Sequence, residues 1–286
     1  MIIVRITGGL GNQLFRYAFA RCLAIKHQTE VKLDLFDFEK DNFRDYELQH
    51  FSIQASNALK KDLPYKRRRD LNKYLAHILD LLVPGPTIKY EENFHFITEV
   101  EDYPDNIYLD GYWQSFKYFN SIKNIIKTEF QVKSDLNFNA QKLLQEIRGN
   151  QSIAIHIRRG DYVNHPIHPT CSLQYYLKAI EIISQKITNP IIYIFSDDIE
   201  WVKKNLTLSL DHHYLEANKS WEDFKLMTEC KHFIISNSTF SWWAAYLSSG
   251  DEKIVIAPEK WFNRTGKYVN YTTSDLLPET WIKLNI

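Results

Sequence analysis

The sequence predicts an α/β protein with two domains, each a parallel sheet covered by helices, facing each other across a cleft. Short apolar runs alternate with helical patterns along the chain, and this order is typical of parallel sheets. The runs are continuous rather than alternating, as expected for strands buried on both faces. A length of 286 residues accommodates one large domain or two of ordinary size.

The predicted elements begin with MIIVRI as a strand, TGGLGN as a loop, QLFRYAFARCLAIKH as a helix and EVKLDL as a second strand. A weaker, more polar stretch follows over residues 38–105. Further strands are predicted in NIYLDGYW, SIAIHI, PIIYIFS, HFIIS and KIVIAP. The polar segment KSDLNFNAQKLLQEIRGNQ, just before Ser152, is the predicted crossover, so we expect domains over residues 1–149 and 150–286.

One segment of the middle stretch, KRRRDLNKYLAHILDLL (Lys66 to Leu82), is predicted to be a helix with a basic start. A solvated helix face is the favoured interpretation. A peripheral contact with a membrane surface is the alternative.

Composition excludes several classes of protein. Lys+Arg and Asp+Glu both total 35, so the net charge is zero and a nucleic-acid partner is not expected. The cysteines Cys22, Cys171 and Cys230 are scattered without metal-ligand spacing, which predicts reduced thiols. The start of the chain has too few apolar residues for a signal peptide or a transmembrane segment. We therefore expect a cytoplasmic protein.

The loop TGGLGNQ (Thr7 to Gln13) lies between a predicted strand and a helix. Glycine lets backbone N–H groups approach a phosphate, and a helix N-terminus favours negative charge. Leu14 stands where a dinucleotide fingerprint has its third glycine, although Asp34 could imitate the ribose-binding acid of that fingerprint. This segment alone therefore leaves open a nicotinamide-dependent oxidoreductase, or a tight turn without a ligand.

The segment HIRRGDYV (His156 to Val163) places two adjacent arginines after an apolar strand. Arginines are rarely buried without partners, and a guanidinium binds phosphate oxygens in a bidentate manner. The segment therefore predicts an anionic ligand. Arg158 and Arg159 point in different directions from a loop, so one of them could instead pair with Asp161.

Two later strands also end in polar residues. The sequence FSDD offers hydroxyl and carboxylate acceptors to a nucleoside, or a plain helix N-cap. In SNSTFSWW, hydroxyls and an amide precede a helix and suit phosphate or sugar hydroxyls, whereas Phe240, Trp242 and Trp243 are predicted to pack. Upstream, Asp223 could accept from a guanine edge or be a solvated helix carboxylate. Ligands of α/β sheets bind at the carboxyl ends of strands, where this chemistry is concentrated.

Two kinds of chemistry have no motif here. No D-x-D and no His/Asp/Glu cluster of metal spacing occurs, so arginines and helix dipoles are expected to neutralise any phosphates. No G-x-S-x-G or paired Cys/His arrangement indicates a covalent nucleophile for hydrolysis.

Taken together, GGLGNQLFRYA, GYWQSFKYF, HIRRGDYV, FSDD and SNSTFSWW resemble the α1,2-fucosyltransferase family. The matches lie in order and reach from Gly8 to beyond Trp243. The resemblance implies a GT-B-type fold with two Rossmann-like domains, and GDP-fucose as donor without a metal or other cofactor. It implies inverting transfer to the 2-hydroxyl of a galactose-terminated glycan, the C-terminal domain holding the donor and the N-terminal domain the acceptor.

The resemblance also assigns roles to residues. Arg159, preferred over Arg158, would stabilise charge on the leaving phosphate, and Asn12 would reach the reacting centre from the other domain. The catalytic residues are thus predicted to be Arg159, Arg158, Asp161, Asn12 and His168, and the donor-binding residues Gly9, Gly11, Gln13, His156, Ser196, Asp197, Asp198, Asp223, Asn237, Ser238, Thr239, Phe240 and Ser241.

Several alternatives stay open. Asp161, if not tied to an arginine, or His165 or His168 could be the general base, and a transition state with strong oxocarbenium character needs little base. Arg16 stands where the family motif has glutamine, so acceptor contacts are expected to differ there. Other functions in view are a fucosyltransferase of another linkage, the oxidoreductase, and a glycan-binding module without catalysis.

Overall fold

Continuous apolar segments form the strands of two separate parallel sheets. The computed structural model describes residues 1–39, 44–68, 72–91, 94–216, 218–250, 252–263, 265 and 272–285. The chain divides into unit 1, Met1–Gln131 with Thr272–Leu276, and unit 2, Val132–Tyr271 with Leu277–Ile286.

Unit 1 contains a five-stranded parallel sheet in the order β3-β2-β1-β5-β4. Residues Ile2, Ile3 and Val4 of the central strand are fully buried, as the unbroken apolar run predicts. The strands are β1 Ile2–Arg5, β2 Val31–Asp34, β3 Ser56–Asn57, β4 Thr87–Tyr90 and β5 Ile107–Asp110, and the helices are α1 Leu10–Lys26, α2 Lys73–Leu82 and α3 Lys123–Glu129.

Unit 2 contains a six-stranded parallel sheet in the order β11-β10-β9-β6-β7-β8. The strands are β6 Gln151–Ile157, β7 Pro190–Ser196, β8 His212–Tyr214, β9 His232–Ile234, β10 Val255–Pro258 and β11 Ile282–Leu284. The helices are α4 Phe138–Gly149, α5 Leu173–Ser184, α6 Ile199–Asn205, α7 Ser220–Thr228 and α8 Thr239–Leu247.

Local chemistry accounts for several helix starts in unit 2. The side chains of Asn137, Ser172 and Asp198 each accept a hydrogen bond from a backbone N–H in the first turn of α4, α5 and α6. The apolar faces of α5 and α6 pack on the isoleucines of β6 and β7, which form the centre of the core. The predicted α/β class with two parallel sheets is thus confirmed.

Two segments differ from their predictions. The predicted crossover forms helix α4, which packs on α7 and β6, so the division of the chain lies near residue 131 and not at 149/150. The helix predicted over Lys66 to Leu82 begins only at Lys73, because Asn72 caps it. Tyr65–Arg67 form a short 3₁₀ turn instead, and residues 69–71 lie outside the described residues.

Candidate functional site

In unit 2, three adjacent strands bring polar loops together at one edge of the sheet. Strand β6 lies between β7 and β9, and Ile157 pairs with Ser196 at the ends of β6 and β7. The loops RRGDY, SDD and SNSTFS follow these three strands, so their side chains meet at what we call the unit 2 carboxyl edge. This is where parallel α/β sheets bind ligands.

Arg158 is held by two carboxylates through its two terminal nitrogens. Nη2 donates to Oδ1 of Asp161 at 2.5 Å, and Nη1 lies 2.8 Å from Oδ2 of Asp197. The guanidinium also lies near the ring of Tyr162. Asp161 is therefore tied to an arginine, and the condition under which it was predicted to act as a base is not met, because an ion-paired carboxylate is a weak proton acceptor.

Arg159 is held differently. Its Nε donates to Oδ2 of Asp198 at 3.1 Å, and its guanidinium lies 3.6 Å from the centroid of the Trp201 ring. Its backbone N–H donates to Oδ1 of Asp197 at 2.8 Å. Among the described residues, the carboxylate contacts of the Arg159 side chain go through Nε, so its two terminal amino groups stay available for a phosphate.

Gly160 explains why the turn after the arginines needs glycine. A Cβ on Gly160 would lie 2.5 Å from Oδ2 of Asp197, the carboxylate that contacts both arginines. Ser196 completes the neighbouring turn, since its hydroxyl donates to the carbonyl of Ile157 at 2.8 Å and accepts from the N–H of Asp198. The predicted residues Ser196, Asp197 and Asp198 thus lie beside the arginines.

His156, at the end of β6, is buried and neutral. Its Nδ1 lies 2.9 Å from the hydroxyl oxygens of both Ser236 and Ser241. Burial, with a smaller effect of the Arg158 charge, lowers the pKa of His156 to about 3. The ring of Phe240 packs near the imidazole, at a centroid distance of 5.6 Å.

The N-terminus of α8 lies next to this histidine. Ser238 is the N-cap residue, yet its side chain makes no capping hydrogen bond, and the first turn of α8 contains no acidic residue. The predicted Thr239 and Ser241 lie in that turn. The N-terminus of α8 therefore directs its positive dipole toward this edge of the sheet without an acidic side chain in its first turn, which suits an anion.

Asn237, which is predicted to contact the donor, is hydrogen-bonded within unit 2. Its Nδ2 donates to the carbonyls of Pro169 and Trp261, and its Oδ1 accepts from the thiol of Cys171. Because the whole amide is engaged within the protein, the contacts give Asn237 a structural role. Trp242 and Trp243 are fully buried, as predicted.

Asp223 lies in the first turn of α7, which follows the β8 loop. Nδ2 of Asn218 donates to its Oδ1 at 2.8 Å. Burial, together with the nearby Glu222, raises the pKa of Asp223 to about 6. Its environment is thus not that of a solvated helix carboxylate, which was the alternative prediction.

The two candidate histidine bases lie in the loop after Tyr162. Nδ1 of His165 accepts from the N–H groups of Ile167 and His168, which orders the loop. Burial and the neighbouring His165 lower the pKa of His168, whose ring stacks on Tyr162. The lowered pKa keeps the His168 imidazole neutral at pH 7, the state that can accept a proton.

The glycine loop of unit 1 is closed by its own side chains. Gly8 has a φ of +77°, and a Cβ there would lie 2.9 Å from Nδ2 of Asn12. Gln13 is fully buried, donates to the carbonyls of Gly8 and Asp45, and accepts from the N–H of Glu47. The amide of Gln13 is therefore fully used within unit 1, and its predicted contact with the donor stays a prediction.

The other predicted residues of this loop lie at the start of α1. Gly9 is its N-cap residue in extended conformation, and Gly11 is buried in its first turn. Asn12 accepts a hydrogen bond from Nε2 of Gln114 at 3.0 Å, which links the loop to the GYWQSFKYF segment.

That segment also contacts Glu91 and Arg16. The Glu91 carboxylate accepts from the N–H groups of Tyr112 and Trp113, and burial raises its pKa to about 7. Arg16 is buried beneath the Tyr112 ring, its guanidinium 4.5 Å from the ring centroid, and its Nε has no hydrogen-bond partner among the described residues.

Asp34 is unavailable to a ribose. Its side chain is fully buried and accepts from Nη2 of Arg67 at 3.0 Å and from the hydroxyl of Tyr108. The one residue that could imitate the ribose-binding acid of a dinucleotide fold is therefore engaged within unit 1. This removes the main support for the oxidoreductase alternative.

Metal clusters, membrane-spanning helices and disulfides are absent from the described residues. Among the residues that the structure describes, no group of three or more His, Cys, Asp or Glu side chains could hold a metal ion. No helix in the described ranges combines the length and apolarity needed to cross a bilayer. Cys22, Cys171 and Cys230 form no disulfide, as predicted.

Some residues that contact the unit 2 carboxyl edge belong to no motif in the sequence. Trp201, in the first turn of α6, lies under Arg159. The hydroxyl of Tyr175 donates to the carbonyls of Ile235 and Ile256, and that of Tyr176 donates to the carbonyl of His156. From sequence alone, a Tyr or Trp in a helix is interpreted as a core residue. Its partner is a backbone carbonyl or a stacked guanidinium on another element, which the helix pattern does not identify.

Solved structures define the class of fold. The α1,6-fucosyltransferase NodZ, co-crystallised with GDP, matches with a TM-score of 0.52 at 14% identity, covering 85% of this chain and 91% of that one. POFUT1 in complex with GDP-fucose matches with a TM-score of 0.50 at 15% identity, covering 90% of this chain and 97% of that one. The fold is that of the GT-B fucosyltransferases, which confirms the predicted fold class.

Sequence comparison defines the family. Residues 1–284 match the model of glycosyl transferase family 11. An alpha-1,2-colitosyltransferase of Escherichia coli is 30% identical, covering 99% of each chain, and the E. coli O-antigen biosynthesis glycosyltransferase WbnK is 31% identical over 98% of this chain and 99% of that protein. A galactoside 2-alpha-L-fucosyltransferase of Caenorhabditis elegans is 29% identical, covering all of this chain and 79% of that protein. The chain belongs to glycosyl transferase family 11 and is a glycosyltransferase.

Proposed function

We propose that this enzyme transfers L-fucose from GDP-β-L-fucose to the 2-hydroxyl of a terminal galactose, with inversion to an α1,2 linkage. The observation that carries this proposal is the pair Arg158 and Arg159 at the unit 2 carboxyl edge, where the N-terminus of α8 contacts His156, an arrangement suited to a diphosphate. The names of the C. elegans and E. coli relatives support the α1,2 linkage and the galactoside acceptor.

In this proposal Arg159 stabilises the leaving diphosphate. As the glycosidic bond breaks, negative charge grows on the β-phosphate, so a fixed guanidinium there stabilises the transition state more than the ground state. Arg159 suits this role because its terminal amino groups are not used by Asp198. Arg158, with both terminal nitrogens on carboxylates, positions the turn.

The nucleoside is assigned to the groups around His156. A neutral His156 adds no positive charge and can exchange hydrogen bonds with hydroxyls, as it does with Ser236 and Ser241. Asp223 is proposed to accept from the guanine edge when ionised. Ser238, Thr239 and Ser241 are proposed to contact the phosphates.

The acceptor is assigned to unit 1, where Asn12 is proposed to act at the reacting centre while held by Gln114. His168 is proposed as the base, since its imidazole is neutral and Asp161 is ion-paired. We expect His168→Gln to flatten the acidic limb of the profile of kcat against pH. An unchanged limb would assign it to another group, or to a reaction that needs little base.

A second candidate donor has specific support. Colitose is fucose without its 3-hydroxyl, and the E. coli colitosyltransferase matches this chain over nearly its whole length. GDP-fucose and GDP-colitose should therefore be compared as donors at equal concentration. A kcat/KM ratio above about 10³ for GDP-fucose would indicate a site that hydrogen-bonds the 3-hydroxyl, since a site built for a hydroxyl strongly rejects the analogue that lacks it.

The central experiment measures GDP release from GDP-fucose with β-galactosides such as lactose, with EDTA present. Turnover with lactose supports donor, acceptor and metal independence together, and NMR of the product gives the linkage. We place the reaction in the cytoplasm, in keeping with a nucleotide-sugar donor and the bacterial relatives. Absence of both GDP release and GDP binding would overturn the proposal.

A further inference from the structure

Helix α2 exposes an unusual amount of apolar surface. Within the ten residues Lys73–Leu82, Ala76 alone is buried. The exposed fraction is 76% for Tyr74, 72% for Leu81 and 74% for Leu82. Leu75 and Val83 are exposed as well. Single exposed leucines are ordinary, but a contiguous group of this kind marks an interaction surface.

An ordinary amphipathic helix turns its apolar face toward the core, whereas α2 turns its polar face toward unit 1. At about 100° per residue, the side chains of Leu81, Tyr74, Ile78, Leu82 and Leu75 fall in one sector about 120° wide. Ala76 and Asp80 lie on the opposite side. The Asp80 carboxylate accepts from the N–H groups of Tyr65 and Lys66, so the polar side fastens the helix to unit 1. The apolar side therefore faces outward.

The surroundings of this helix are basic. From Lys60 to Lys73 the sequence has seven Lys or Arg residues and two Asp. Lys60, Lys61, Lys66 and Lys73 are exposed. Asp62, the acidic residue of this stretch that the structure describes, is buried and bound to Lys32 and to the N–H of Leu59.

The two arginines that the structure describes in the basic stretch are bonded within unit 1, although Arg68 keeps its positive charge because its partners are neutral carbonyls. Arg67 points to the buried Asp34, and Arg68 donates to the carbonyls of Leu63 and Lys61. The exposed basic side chains described near α2 are therefore lysines, which can reach past an apolar face to an anionic layer above it.

We propose that α2 docks on a bilayer containing anionic phospholipid, with Leu75, Leu81 and Leu82 entering the interface and the lysines contacting headgroups. Charge distinguishes this occupant from a second copy of the chain, which would bring its own lysines against these. A neutral apolar partner would leave the lysines unmatched. The structure leaves this helix exposed to solvent, as the solvated-face interpretation predicts, but the exposed side is apolar. The proposal does not depend on the donor or acceptor.

The test is sedimentation with vesicles of phosphatidylcholine, alone or mixed with an equal part of phosphatidylglycerol. We expect wild-type protein to bind the mixed vesicles and to be released by salt. Leu81→Glu/Leu82→Glu should weaken this binding at least tenfold, since each substitution removes an apolar side chain that would enter the bilayer and adds repulsion from the anionic headgroups. The matched control is Leu177→Glu, which alters a half-exposed leucine of α5 in unit 2 and should bind like wild type.

Both variants change exposed side chains, so circular dichroism and GDP release with lactose should match wild type. Equal vesicle binding by wild type and the double variant would overturn the proposal. So would equal binding to vesicles without phosphatidylglycerol. Light scattering provides the last outcome: a wild-type dimer that the double variant converts to a monomer would assign the face to a second copy instead.

Discussion

The carboxyl edges of the two sheets use the same residue types in opposite ways. In unit 1, Arg67 pairs with Asp34, whose side chain is fully buried. In unit 2, the carboxylates that hold the arginines are exposed to solvent, by 54% for Asp161 and 38% for Asp198. Removing one partner of a buried pair is costly, whereas an exposed pair contributes little. A diphosphate can therefore bind the terminal amino groups of Arg159 in unit 2 without breaking a buried ion pair, while the charges of unit 1 remain part of the scaffold.

The starts of α1 and α8 agree in one respect and differ in another. Neither helix has a capping side chain at its N-cap or an acidic residue in its first turn. Gln13 of α1 uses its whole amide on neighbouring backbone, whereas the first turn of α8 contacts His156 of β6 through Ser241. An uncapped helix start is therefore not enough to identify an anion site, and unit 2 is distinguished by the arginines after β6 and the contact of α8 with His156.

The largest expected effect is at Arg159. Arg159→Ala should lower kcat by about 10³, because a charged contact that strengthens in the transition state is lost. The measurement is GDP release with lactose at saturating donor. Arg148→Ala is the control, since Arg148 pairs with Glu229 at the surface and should keep wild-type kcat. An unchanged kcat in Arg159→Ala, with folding intact, would move the role to Arg158.

Asp34→Asn tests whether the buried ion pair of unit 1 stabilises the fold without taking part in catalysis. Asp34→Asn should lower the free energy of unfolding by about 3 kcal/mol, because Arg67 loses its buried counter-charge. Activity per folded molecule should stay unchanged, since a buried carboxylate cannot touch a substrate. Urea unfolding gives the first quantity and kcat the second. A large loss of kcat at unchanged stability would place unit 1's buried charges in the chemistry.

Glu181→Gln is a matched control for this experiment. Glu181 pairs with Lys178 on the surface of α5, with both side chains about half exposed. Its loss should change the free energy of unfolding by less than about 0.5 kcal/mol. The difference between the two variants measures what burial adds to an ion pair.

The sequence predicts the fold and the position of the chemistry better than the direction of individual side chains. Apolar continuity is enough to find β1 and β6, and the polar loops follow their strands as expected. Whether Gln13 contacts a ligand or a backbone carbonyl depends on the segment at Asp45–Glu47, 32 or more residues away in the chain. The motif shows the residue type but not the groups with which its side chain forms hydrogen bonds.

The arginine pair and helix α2 show the same limit. The sequence indicates that one arginine of HIRRGDYV could pair with a carboxylate. It does not show that Asp198, which follows a different strand, pairs with Arg159 and so gives the two arginines different contacts. For α2, periodicity identifies an amphipathic helix without showing which side is attached. Asp80 decides this by binding the backbone of residues 65 and 66.

Gly160→Ala tests how precisely the turn after Arg158 and Arg159 must be positioned for activity. Gly160→Ala would bring a Cβ within 2.5 Å of Asp197 and push that carboxylate away from Arg158 and the N–H of Arg159. A displacement of this size should lower kcat/KM by about 10². Gly149→Ala is the control, since nothing lies within 4 Å of its added Cβ. Equal activity of the two variants would show that the turn adapts and that the exposed pairs are dispensable.

The smallest expected effect is a pH dependence of donor binding through Asp223. Burial raises its pKa from an ordinary 3.8 to about 6, so the carboxyl is mostly neutral at pH 5 and ionised at pH 7. Because only the ionised form accepts two N–H donors from a guanine edge, KM for the donor should rise about tenfold from pH 7 to pH 5. Asp223→Asn should give a KM that is independent of pH over this range. Asp135→Asn, at an exposed position of the same unit, should keep the wild-type profile.

The pH dependence of stability is an independent check. Ionisation of Asp223 is expected to strengthen donor binding but to destabilise the fold. A folded pKa above the unfolded one means that the folded state binds more protons between pH 4 and pH 6, so the Asp223 carboxyl destabilises the protein as pH rises through that window. Thermal unfolding at pH 7 should therefore show Asp223→Asn to be at least as stable as wild type, although it binds the donor more weakly. A variant less stable at pH 7 and unchanged in KM would assign Asp223 to the scaffold, as Asp34 is, and the contrast between the two units would then rest on the arginines and α8 alone.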